Sequence, residues 1–157
     1  MYFRFLAAPA LLHALLWGAT GAPSEDFSIR IQARCGSQEQ TATGQTDRPV
    51  LTAKAGAPIR VQWAVVSGNK PGVIHDVTLH CFLAREQVLG QRESPKLGPD
   101  ASYESALTMD FEPKARGSAD FTLQAPAAGM YLLRVETIGA AKEHGHEHSA
   151  AMDVKVQ

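Results

Sequence analysis

Residues 27–34 read FSIRIQAR, in which Phe27, Ile29, Ile31 and Ala33 alternate with Ser28, Arg30, Gln32 and Arg34. An apolar side chain at every second position turns one face of an extended chain toward a core and the other toward water. The stretch therefore predicts a half-buried β-strand. The same period recurs outward from it. Val50 to Lys54 makes a short edge-like strand, Pro58 to Val66 places Val61, Trp63 and Val65 on one side, and Ile74 to Ala84 aligns His75, Val77, Leu79, Cys81 and Leu83. Tyr103 to Phe111 alternates through Leu107 and Met109. Ala119, Phe121 and Leu123 mark the next strand, then Tyr131, Leu133 and Val135, and finally Ala150, Met152, Val154 and Val156. Beyond residue 22 no apolar 3.6-residue period lasts more than two turns. Turn-forming stretches such as residues 67–72, SGNKPG, separate the runs. Seven or eight short strands of this kind predict an all-β, antiparallel β-sandwich. The connection from Arg85 to Ser102 is long for an internal loop, so a short strand or a function is expected within it.

The chain has 157 residues, 45% hydrophobic and 20% charged, which suits one globular domain and is too short for two well-cored ones. Its 15 Lys and Arg face 16 Asp and Glu. No excess of basic charge is left to capture phosphates, so nucleic acid is not an expected partner. With only 7% aromatic residues, a base-stacking platform is not expected either.

Residues 1–22, MYFRFLAAPALLHALLWGATGA, place one Arg ahead of an apolar stretch that gives way to small residues. That is the pattern of a secretory signal peptide, and about 13 apolar residues are too few to span a bilayer as a helix. Cleavage is expected after Ala19 or Gly21, because a cut after Ala22 would leave Pro23 first. Residues 23–157 then form a single exported domain, periplasmic or extracellular, with no further membrane span.

The segment PAAGMYLLRV, residues 126–135, resembles the E–F corner of immunoglobulin-like and fibronectin type III-like domains. In those domains a Gly turn is followed by a Tyr whose hydroxyl bonds back to the corner backbone, and then by strand F. Tyr131 matches that tyrosine, whereas Leu133 stands where an antibody domain carries its second Cys. AGAPIRVQW, residues 55–63, is similar to the approach to strand B in bacterial members of the group. The resemblance implies that residues 27–34, 58–66 and 74–84 are strands A, B and C. Residues 103–111 and 118–124 become D and E, 130–137 F, and 148–157 G. It further implies that C, F and G share a sheet, and that the B–C and F–G loops lie at one end. It implies a fold and little about function.

Cys35 and Cys81 both fall on the apolar parity of their strands. Export makes oxidation available, so a disulfide between them is expected. In the chain-entropy model, closing a loop of about 46 residues contributes about 4 kcal/mol. The other reading is two buried free thiols that pack as small hydrophobes.

Residues 143–148 read EHGHEH. Alternate residues of an extended chain point the same way, so His144, His146 and His148 can present imidazoles to one ion, and neutral imidazole suits Zn²⁺, Cu²⁺ or Ni²⁺. Glu143 or Glu147 can add an oxygen or orient a ring. By parity His75 runs with Val77 and Leu79, and His148 with Ala150 and Met152. Both are therefore expected to face inward at the end of the sandwich, giving a metal site of His75, His146 and His148 with His144 or a carboxylate as the fourth ligand. His80 has the opposite parity and is expected outside it. The plainer reading of the segment is a solvated hairpin tip.

No phosphate loop, zinc-protease motif or nucleophile elbow is present, so no enzymatic activity is expected. Asp76, Glu104, Asp110 and Glu136 fit solvent-facing positions of strands. The chain is read as an exported binding module for a transition metal ion. The alternative is an adhesion or assembly module that binds another exported protein through a sheet face or the long connection.

Overall fold

Each strand expected from period-two alternation is present in the computed structural model, which describes residues 27–44, 46–69, 71–93, 95, 97–98, 101–138 and 148–157. Among them are nine strands and no helix. They are β1 (Phe27–Cys35), β2 (Gln38–Ala42), β3 (Val50–Ala53), β4 (Pro58–Ser67), β5 (Ile74–Glu86), β6 (Ala101–Phe111), β7 (Arg116–Gln124), β8 (Gly129–Ile138) and β9 (Ser149–Val156). They form a four-stranded sheet in the order β2-β1-β4-β7 and a five-stranded sheet in the order β3-β9-β8-β5-β6.

Three expectations are corrected. The ninth strand, β2, folds back on β1 through Gly36, whose φ of 59° suits a tight reversal. The sheets are not wholly antiparallel, because β3 runs parallel to β9. Finally, β6 lies beside β5, in the sheet that holds β8 and β9, and not beside β7 as its expected place as strand D requires. Alternation tells which side of a strand is apolar, but not which strand lies next to it.

The two sheets enclose one core. Phe27, Ile31, Val61 and Val65 come from the four-stranded sheet and Leu79, Leu83, Leu133 and Met152 from the other, all essentially without solvent contact. Burying side chains of this size stabilises by roughly 1.5–3 kcal/mol each. At the upper end, where β1 begins and β8 ends, Phe27 meets Phe111 edge to face, with centroids 5.2 Å apart. There β7 and β5 approach closely, and a Cβ on Gly117 would stand 2.9 Å from Leu79 Cδ1. At the lower end the Tyr131 hydroxyl donates to the Ala127 carbonyl at 2.7 Å, as expected of a corner tyrosine, and Arg85 lies over its ring.

The outer face of the five-stranded sheet is covered over its lower half. Phe82, Ala84, Leu132 and Ala151 form a second apolar cluster, and Leu97 of the long connection packs on it. Arg48 holds this cover down. Its guanidinium donates to both carboxylate oxygens of Glu86 at 2.7 and 2.8 Å and to the Gln91 carbonyl at 2.7 Å, and it pairs with Asp153. The backbone before β3 follows β9, with the Gly44 and Pro49 carbonyls accepting from the Ala151 and Asp153 amides.

Candidate functional site

His75 does not face inward. Between Ile74 and Val77 the pairing of β5 with β6 slips: Ile74 opposes Phe111 and Val77 opposes Met109, so β5 carries one extra residue. Asp76 takes up the slip with a φ of 55°, a left-handed conformation that Asp tolerates better than most residues. The bulge reverses the side-chain alternation. Ile74 and Val77 are both buried, three positions apart, while His75 turns out with 62% of its side chain exposed. Its Nδ1 lies 3.0 Å from Asp110 Oδ2, and the Asp76 amide donates to Asp110 Oδ1 at 3.0 Å. These two contacts, the backbone amide first and the imidazole second, hold the Asp110 carboxyl below the usual carboxylate range.

His148 keeps the expected parity with Ala150 and Met152. It is half-buried, its ring packing against Phe27 with centroids 5.7 Å apart. Its backbone closes the β8–β9 hairpin: the Thr137 amide donates to its carbonyl at 2.9 Å, and its own amide donates to Thr137 Oγ1 at 3.3 Å. His75 and His148 thus face opposite sides of the five-stranded sheet. His144 and His146 lie outside the described residues. Among the described residues, no group of three or more His, Cys, Asp or Glu side chains is placed to hold a metal ion.

Cys35 and Cys81 are free thiols in this structure, without the cross-sheet bridge expected from the sequence. Cys35 is half-buried at the lower end of β1, opposite Gln38. Cys81 sits mid-strand in β5, opposite Val135 and Ser105. Burial pushes the Cys81 thiol up to about 12, so the group is a protonated, inert hydrophobe at physiological pH.

The most developed polar constellation is one that parity placed on the solvent face. His80 has the outward orientation expected of it, yet it is only 5% exposed. Its Nδ1 lies 3.0 Å from Glu136 Oε1 on β8 and its Nε2 lies 2.9 Å from Glu104 Oε1 on β6. Arg134 Nε in turn lies 2.6 Å from Glu136 Oε2. Carboxylates only accept, so both contacts are hydrogen bonds when the ring carries hydrogen on both nitrogens. The row Glu104, His80, Glu136 staples three adjacent strands, and the tilted Phe82 ring lies beside His80 at 5.2 Å. Both ring nitrogens are already engaged, so the ring is a clamp in this arrangement. The signal for it was available only in pairing: the three residues stand in strands whose adjacency no single strand reveals.

No protein-family model matches the chain, and no curated protein matches it.

Proposed function

We propose that the chain is an exported, non-enzymatic binding module of the immunoglobulin-like class that takes up Zn²⁺, Cu²⁺ or Ni²⁺ on the connection between β8 and β9. Three features support the class: the corner bond of Tyr131, the pairing of β3 with β9 across from β1, and the shared sheet of β5, β8 and β9. The observation that carries the metal reading is the closure of the hairpin by Thr137 and His148, which pins one end of the EHGHEH segment to the end of the sandwich. The ligands are His144, His146 and His148, with Glu143 or Glu147 as an oxygen donor. His75 is left out, since its ring is on the far side of the sheet. Neutral imidazoles bind the ion near pH 7, and protonation near about pH 6 releases it.

The test is calorimetric titration with Zn²⁺, Cu²⁺ and Ni²⁺ of the domain, of a His144→Ala/His146→Ala variant and of His75→Ala. One-to-one submicromolar binding, lost in the double variant and kept in His75→Ala, supports the reading. Weak binding, or binding unchanged by the double variant, overturns it. A second reading is an adhesion or assembly module for another exported protein. It is favoured by Val88 and Leu89, exposed by 57% and 36% just beyond β5 in the long connection.

A further inference from the structure

The outer edge of β6 points to a second copy of this chain. We propose that the protein self-associates by antiparallel pairing of β6 with β6 of another copy, about a two-fold axis at Ala106. The inference is independent of metal uptake and of a heterologous partner.

Among the described residues β6 is the end strand of the five-stranded sheet and pairs only with β5. Edge strands are normally defended by shortness, a bulge, Pro or charged side chains, Lys above all. β6 is eleven residues long and has neither Pro, Lys nor Arg, and its two charges are the exposed acids Glu104 and Asp110. Its register against β5 is continuous from Tyr103 to Met109, with irregularities just outside both ends. Ala106 is the midpoint of that regular stretch.

Leu107 shows that this edge lacks a neighbour among the described residues. It shares the inward parity of Tyr103 and Met109, both of which pack against the core, yet it is 58% exposed. Pleat parity confines a continuous two-copy sheet to registers that match inward residues with inward residues. An axis at Leu107 would set Glu104 against Asp110 of the other copy, a like-charge pair that destabilises. With the axis at Ala106, Tyr103 faces Met109, Glu104 faces Thr108 and Ser105 faces Leu107. Each Leu107 then packs diagonally between Tyr103 and Leu107 of the other copy. Every inward pair is apolar or a hydroxyl, and no acid opposes an acid.

The paired stretch is about 23 Å long. With a sheet about 10 Å thick this edge covers roughly 230 Å² per partner, well below the roughly 800 Å² of a stable interface, so the dimer is reversible on dilution.

Sedimentation equilibrium of the domain tests this. A monomer is expected at about 10 μM and a substantial dimer fraction at about 500 μM, concentrations suited to so small an interface. Leu107→Lys abolishes association while circular dichroism stays unchanged. Thr108→Lys, which faces Glu104 of the other copy, tightens the dimer by about two- to fivefold, and Thr108→Glu loosens it by a similar factor. Thr122→Lys puts the same charge on β7 of the other sheet and leaves association as it was. A monomer at about 1 mM overturns the proposal. So does any equal response to Thr108→Lys and Thr108→Glu, or an equal gain from Thr122→Lys.

Discussion

β5 carries two histidines five residues apart, and the fold treats them differently. His75, beside the bulge, stands in water with Asp110 as its neighbour. His80 is enclosed between carboxylates from the strands on either side, directly above the region sealed by Phe82, Leu97 and the Arg48 charge cluster. Among the described residues the upper end of this outer face is open sheet and its lower half is interior. One side of one strand therefore has two environments. What separates them is cover supplied from elsewhere in the chain, by the long connection and by the backbone around Arg48.

The sharpest way to break this contrast is to remove the residue that holds the cover. Arg48→Met leaves Glu86 and Asp153 buried together without a counter-charge, and breaking such a pair costs about 3–5 kcal/mol. Urea unfolding should show that loss, and adding Glu86→Gln should recover part of it. A loss below about 1 kcal/mol would show that the lower half is no more sealed than an ordinary surface.

The two histidines themselves come next. His80→Ala orphans Glu104 and Glu136 in part and should cost about 1–3 kcal/mol, whereas His75→Ala should stay within about 0.5 kcal/mol. Equal effects would erase the distinction.

Glu86 and Asp110 predict opposite responses to pH. Burial raises the Glu86 carboxyl above its ordinary value against the pull of Arg48. Just above the ordinary carboxylate range, the folded state thus binds more protons at this site than the unfolded chain. The contribution of Glu86 to stability falls as pH rises through its folded value, and Glu86→Gln should flatten that slope. Asp110 is lowered, so what it adds is present at neutral pH and fades as pH falls through its folded value. Because Asp110 is exposed, Asp110→Asn should remove the smallest slope of the series, measurable in unfolding curves collected from about pH 2 to 5.

Much of the fold was legible in the sequence because alternation reports burial directly. Phe27 to Ala33, Val61 to Val65 and Leu133 to Val135 carry it without interruption. β2 was not legible, since only Ala42 of its five residues is buried. It exists as a partner for β1 and not through its own pattern. His75 was misplaced because a single extra residue reverses parity, and the only sign of it is an Asp next in line. The His80 clamp and the Arg48 cluster join residues far apart in the chain, and no local pattern encodes which strands lie side by side. The EHGHEH segment was the reverse case: easily seen in sequence, while His144 and His146 lie outside the described residues.

The pairing of β3 with β9 also has a kinetic consequence. Val50 meets Asp153 and Ala53 meets Val156, so this ladder joins residues 103 positions apart in the chain. Closing so long a loop draws on chain entropy well before its contacts return any stability. Folds dominated by such non-local pairings reach the native state in milliseconds to seconds. The β3–β9 seam should therefore form after the folding transition state, so that weakening it with Leu51→Ala speeds unfolding and leaves the folding rate almost unchanged.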